Sequence, residues 1–228
     1  VFLPIPINRE LLPFKERKNA RVFLHNGGGG KHGRNSTFEL LNALSYVKSD
    51  AQFIINIHDF SRYSGPRVRK FLSKIPRESL RQGKEVRIGG KRVRVREGVV
   101  DNYADLYRDG DVFIHPQIYG GLSLPIQEAM SCGMPVIAID RFPENQFLDK
   151  DLLIRPDREE TRKIYRDVKA HLIAPESLAE KIDEVFDLPL EEYSRKNDVL
   201  AEKWSWKNME QLYMQVFENV KNGKRLVQ

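Results

Sequence analysis

The chain has 228 residues, 38 Lys or Arg against 32 Asp or Glu, a net charge of +6 and 40% hydrophobic residues, which fits one large or two small domains with an ample core. Its single cysteine excludes a disulfide framework and suits a reducing compartment. No run of about eighteen apolar residues and no signal peptide is present, so the expectation is a soluble, cytoplasmic protein.

Residues 1–20, with Phe2-Leu3-Pro4-Ile5-Pro6-Ile7 at the start, are expected to form an extended linker. Residues 21–222 are expected to form one α/β domain, followed by a tail at 223–228. A start at Val1 rather than methionine reads as a fragment lacking its amino-terminal part. From Arg21 strand and helix alternate: strand Arg21–His25, helix Ser36–Val47, strand Gln52–His58 and a helical stretch near Arg67–Ser73. Such alternation predicts a parallel sheet with right-handed crossovers. Ser36 and Glu39 have capping-box spacing at the start of the first helix.

Asn26–Asn35 lies between the first strand and that helix and holds Gly27, Gly28, Gly29 and Gly30 in a row. A turn of this kind exposes backbone N–H groups beside a helix start and can cradle phosphates, with Lys31 and Arg34 adding charge. The same loop fits G-x-G-x-x-G at Gly28, Gly30 and Gly33, the dinucleotide-binding context, with Asp59 as the acidic residue further on. A phosphate-binding Walker loop is excluded, because Lys31 is followed by His32. The plainer alternative is that these glycines only let strand and helix pack closely.

Glu85–Glu97 breaks the rhythm: Val86 and Ile88, then Val93 and Val95, alternate around Gly89-Gly90 as in a β-hairpin, expected as an insertion at the sheet's edge. Between Ser61 and Gly98 thirteen basic and three acidic residues give +10, so the rest of the chain is at −4. Arg92, Arg94 and Arg96 share one face of a strand. That face is either a solvated edge that resists aggregation, or a docking surface for an anionic acceptor such as lipid headgroups, an acidic glycan or nucleic acid. The second alternative would place the protein peripherally at a membrane.

The densest signal is Asp111–Asp140, DVFIHPQIYGGLSLPIQEAMSCGMPVIAID. A buried strand, Asp111–His115, is stopped by Pro116, and Gly120-Gly121 turn the backbone. Ser123 and Pro125 suit the first turn of a helix carrying Ile126, Glu128, Ala129 and Met130. Gly133 and Pro135 end it before a second strand, Val136–Ile139. A glycine turn feeding a helix N-terminus suits an anion such as a diphosphate, and Glu128 faces the same crevice. Helices near Pro175–Phe186, Leu190–Glu202 and Trp206–Asn222 complete the domain. None of the five histidines pairs at metal-ligand spacing, so no metal is expected; His115 alone lies near the proposed site. Cys132 reads as a small packing residue.

The run Gly120–Val136 resembles the motif E-G-F-G-L-P-x-x-E-A-M-A-x-G-x-P-V of the retaining, GT-B-type glycosyltransferases, the group that includes bacterial mannosyl- and glucosyltransferases and glycogen synthase. Tyr103–Tyr107 with Gly110-Asp111-Val112, Glu176–Ala179 and Trp204-Ser205-Trp206 resemble segments on either side. The resemblance implies a Rossmann-like sheet flanked by helices, one half of a GT-B fold, which binds a nucleotide-diphosphate sugar as donor without another cofactor. It places Glu128 on the ribose hydroxyls. Arg34 first and Lys31 second fall on the diphosphate, together with the backbone of Gly28, Gly29, Gly30, Gly121, Leu122, Ser123 and Leu124. Val99 and Val100 fall beside the nucleobase. Gly120 stands where the family has its first glutamate, and Gln117 and Tyr119 are the nearby candidates for that role. A second, amino-terminal domain would hold the acceptor.

Three functional classes remain open on these grounds. One is the donor-binding half of a glycosyltransferase working mainly by electrostatic stabilisation of the leaving diphosphate. Another is a nucleotide-binding module without turnover, and the last is a dinucleotide-dependent oxidoreductase.

Overall fold

The computed structural model describes residues 4–28, 33–58 and 66–223. Strands β1 (Val22–Asn26), β2 (Gln52–Ile57), β3 (Glu85–Ile88), β4 (Lys91–Glu97), β5 (Val112–His115), β6 (Val136–Ile139) and β7 (Leu153–Ile154) form one sheet in the order β3-β4-β2-β1-β5-β6-β7. Every pairing is parallel except β3 with β4. Helices α1 (Thr37–Ala43), α2 (Pro66–Leu72), α3 (Arg77–Arg81), α4 (Leu124–Ser131), α5 (Pro175–Phe186), α6 (Glu191–Lys203) and α7 (Trp206–Lys221) accompany it. This is the expected Rossmann-like architecture.

The strands sort their side chains by the two-residue period. Phe23, Phe53, Ile55, Val93, Val95, Val112, Ile114, Ile137 and Ile139 join one core with Leu40, Leu41, Leu72, Leu178 and Ile182 from α1, α2 and α5. Leu24, Ile54, Phe113, Val136 and Ala138 point the other way, into a second core with Ile126, Met130, Ala201, Trp204 and Met209. Gly133 ends α4 with φ +74°, and a Cβ there would lie 2.3 Å from the Lys15 carbonyl oxygen, so only glycine fits.

The described part of the amino-terminal segment, residues 4–20, turns at 9–12 and packs against the domain. Ile7 exchanges backbone hydrogen bonds with Trp204 (2.9 Å) and Trp206 (3.1 Å). Buried Arg17 donates to the carbonyls of Cys132, Arg108 and Tyr107. Cys132 is buried, as expected of a packing residue, and burial pushes its thiol pKa up to about 11.

Two local expectations are corrected. Ser36 precedes α1 but makes no capping hydrogen bond: its backbone is left-handed (φ 51°) and its buried Oγ lacks a partner. That turn is imposed from outside the helix, because the Ser36 N–H bonds to Gly33 O (3.3 Å). The first helix also stops at Ala43, four residues early. The β3–β4 hairpin lies at the sheet's edge as expected, with β4 paired in parallel to β2 over Gln52–Ile57. A second hairpin, β8 (Arg158–Lys163) with β9 (Asp167–Leu172), is not foreseen from the sequence because β8 is almost entirely charged and shows no apolar alternation.

Candidate functional site

The parallel strands end together at one edge of the sheet, and the loops leaving β1, β4, β5 and β6 converge there, the usual crevice of an open α/β sheet. The two glycine loops found in the sequence are joined by hydrogen bonds. The Ile118 N–H donates to Arg34 O (2.9 Å), Gln117 Nε2 to Asn35 Oδ1 (3.4 Å), and Asn35 Nδ2 to Gly27 O (2.7 Å). Gly28 is exposed with φ +54°, and Arg34 is exposed beside it. Gly29, Gly30 and Lys31, together with Asp59 of the dinucleotide reading, lie outside the described residues.

The β5–α4 loop stands on buried polar groups. Arg141, at the end of β6, donates to Gln117 O (2.8 Å), Gly120 O (3.1 Å), Phe142 O (3.1 Å) and Gln117 Oε1 (3.1 Å), and pairs with Glu144 (2.8 Å). Arg141 and Glu144 are both buried; burial lowers the pKa of the arginine and raises that of the glutamate, although each partner opposes the shift. A Cβ at Gly120 would lie 2.3 Å from Gln117 Oε1, so the glutamine amide fills the place where a side chain at 120 would begin. Gln117 thus stays beside the position of the missing glutamate, whereas Tyr119 is buried in the α1–α5 core. A Cβ at Gly121 would meet nothing within 4 Å, so this position faces open space.

Two neutral histidines lie beneath the loops. His25 Nδ1 sits 2.9 Å from Ile114 O, which can only accept, so this nitrogen carries the proton and Nε2 accepts from Thr37 Oγ1 (2.9 Å). Burial drives its pKa down to about 4. His115 Nε2 meets Ser123 Oγ at 2.9 Å, and Nδ1 is buried without a partner. Burial first, then the charges of His25, Arg141 and Arg34, hold His115 at about 3. Ser123 therefore spends its hydroxyl on His115 rather than on capping α4, which opens after it with Pro125 in the first turn. The exposed N-terminal end of α4 adds a positive dipole beside Arg34 and Arg141.

Glu128, expected to face the crevice, is covered by two tyrosines. It is only 4% exposed, and both carboxylate oxygens accept tyrosine hydroxyls: Oε2 from Tyr107 (2.6 Å) and Oε1 from Tyr103 (2.8 Å). Burial and the carboxylate together raise both tyrosine pKa values, so each phenol stays a donor. Tyr107 is fully buried against Phe113, while Tyr103 is half-exposed on the single 3-10 turn Tyr103–Leu106. Their i, i+4 spacing in the sequence was the available signal for this pair; for Arg141 it was the place directly after a parallel strand. Val99, 81% exposed, stands with Val100 and Leu106 along an open groove of about 610 Å³ whose other wall is Lys84, Arg94 and Arg96.

Two of the three arginines in the β4 stripe are in ion pairs. Arg96 pairs with Asp109 and Arg92 with Asp50 (3.3 Å), and Arg94 stands opposite Glu85 in the hairpin register. These pairs weaken the case for a polyanion site on that face. Among the described residues no helix is long and apolar enough to cross a membrane, and no cluster of three or more His, Cys, Asp or Glu side chains could hold a metal.

Comparisons with known proteins agree with this architecture. A glycosyltransferase from Rickettsia africae superposes with a TM-score of 0.65 at 15% identity over 96% of this chain and 57% of that one. Sucrose-phosphate synthase from Thermosynechococcus elongatus gives 0.60 at 21% over 95% and 52%. HepE from Anabaena, in complex with UDP and glucose, gives 0.60 at 14% over 88% and 49%. At such identities the likeness is one of fold, and the chain spans about half the length of these three proteins. No curated protein matches the sequence. The family model described as "Glycosyl transferases group 1" matches residues 73–186, half of the chain, from the end of α2 through the β5–α4–β6 motif to the end of α5, and the chain belongs to that family.

Proposed function

We propose that this chain is the donor-binding half of a glycosyltransferase that moves a hexose from a nucleotide-diphosphate sugar to an acceptor. The observation that carries the proposal is Glu128, a buried carboxylate at the crevice whose two oxygens are each already matched to a hydroxyl donor, the chemistry a ribose diol requires. Arg34, the Gly28 turn and the Gly121–Leu124 backbone at the start of α4 would form a cationic cradle for a diphosphate, and Lys31, outside the described residues, is proposed as the second cation on the motif resemblance alone. Val99 and Val100 border the base. Breaking the bond between the anomeric carbon and the diphosphate oxygen moves negative charge onto the leaving group, and fixed donors there lower the barrier without a side-chain nucleophile. Retention of configuration and kinship with the family 4 type follow from the motif resemblance. The acceptor would be held by a further domain preceding this one, consistent with neighbours about twice as long. If the acceptor or a membrane surface is anionic, it would meet the basic residues of segment 61–98 other than the paired Arg92 and Arg96.

A non-catalytic nucleotide-binding module is the second reading, favoured by Gly120 and by the glutamine that occupies its side-chain space. Thermal shifts against UDP, GDP, ADP, CMP, dTDP and NAD, repeated with Glu128→Ala, test the donor site. Stabilisation by one nucleoside diphosphate that Glu128→Ala abolishes is expected; protection by NAD alone, or by none of the six, overturns it. Gain of sugar transfer in Gly120→Glu combined with Gln117→Ala, which makes room for the new side chain, would favour the module.

A further inference from the structure

We infer that Tyr103 is an exchangeable ligand of the donor carboxylate: its hydroxyl and a ribose hydroxyl compete for the same oxygen, Glu128 Oε1. The inference rests on the donor-site reading of Glu128 and adds to it a residue that sets how tightly, and for which sugar, that site binds.

The two tyrosines that hold Glu128 are not equivalent. Tyr107 is 1% exposed and its ring stands edge-on to Phe113 at 5.7 Å, so its bond to Oε2 is built into the core. Tyr103 is 45% exposed and sits on one turn of 3-10 helix. That turn is held by the bond from Asp105 N to Asn102 O (3.0 Å), by the bond from Tyr107 N to Ala104 O (3.0 Å) and by the Asn102 side chain, which accepts from Ala104 N (3.1 Å). Moving the Tyr103 side chain gives up one hydrogen bond and the cover of a residue already 45% exposed. Leaving it in place keeps Glu128 almost entirely out of water, and a vicinal diol cannot reach both carboxylate oxygens through the ring. Binding of a ribose therefore exchanges one O–H···O⁻ bond for another, and a phenol that already occupies the acceptor reduces the observed affinity by the fraction of time it is in place. A hydrogen bond to a charged group contributes about 1.5 kcal/mol or more, which corresponds to about a tenfold loss of affinity.

Exchange predicts a gain of function from a conservative loss. Isothermal titration of the whole chain with UDP, GDP and ADP, each beside its 2′,3′-dideoxy form, should show Tyr103→Phe tightening a ribonucleotide about tenfold. The dideoxy form, which has no hydroxyl to place on Oε1, should gain nothing. Unchanged or weaker ribonucleotide binding in Tyr103→Phe overturns the exchange, as does equal tightening of both forms. Glu128→Ala separates the two readings. If it leaves nucleotide affinity unaltered, the donor-site assignment itself fails; if it weakens binding while Tyr103→Phe does not strengthen it, only the exchange fails.

Discussion

The two ends of the sheet place their charged groups differently. At the β5–β6 end, every residue of Val112–His115 and Val136–Ile139 is buried, helices cover both faces, and the polar groups sit inside: Arg141 on Glu144, His115 on Ser123, Tyr107 on Glu128. At the β3–β4 end only Val93 and Val95 of β4 are buried in the core, while Arg92 and Arg96 meet acids at the surface. Buried polar bonds, where effective dielectric is low and water does not compete, hold a loop in one geometry, whereas surface pairs hold little. The candidate site accordingly stands on the doubly covered end, and the more conspicuous charge run does not build it.

Breaking the buried end should cost most. Arg141→Ala leaves the Glu144 carboxylate buried without its cation and removes the donor to three loop carbonyls, so a loss of roughly 3–5 kcal/mol in urea unfolding is expected. Arg141→Met with Glu144→Leu should recover a large part of that loss, because no charge is then stranded; a double variant as unstable as the single one would contradict the account.

Acidification attacks the same end more gently. His25 and His115 are neutral in the fold and carry pKa values near 4 and 3, below the ordinary histidine value, so the unfolded chain binds more protons in this range. Their contribution is full above about pH 6.5 and is lost as the pH falls toward 4, by roughly 3 kcal/mol for His25 alone. Melting temperatures measured between pH 7.5 and 4.5 should fall, and His115→Gln should flatten the profile; an unchanged slope would show that His115 titrates normally. The smallest effects belong to the open end. Arg92→Ser and Arg94→Ser should each shift stability by less than about 1 kcal/mol and leave nucleotide affinity intact, whereas a steep, salt-sensitive loss of binding would restore the basic face to the function.

The legible parts of the chain were those written in local punctuation. Pro116, Gly133 and Pro135 bracket β5, α4 and β6 closely, and Val93 and Val95 against Arg92, Arg94 and Arg96 gave the correct two faces of β4. The β8–β9 hairpin was not legible, because Arg158–Lys163 has no apolar alternation; it exists through its ladder and through Val168, Ala170 and Leu172 meeting the core from β9. Ser36 shows the opposite failure, a good local capping signature overruled by a turn that Gly33 and Asn35 impose.

By itself the sequence determined the order and kind of the main elements, the parallel class of the sheet and the motif around Glu128, since periodicity, glycine turns and proline stops act over a few neighbouring residues. Only the tertiary structure decided that the loops at Arg34 and Ile118 meet, that Arg141 carries the β5–α4 turn, and that Glu128 is held by Tyr103 and Tyr107 rather than lying open. Those outcomes depend on which distant side chains come within hydrogen-bond reach and on how fully burial removes water from them, and neither quantity is contained in any short stretch of chain.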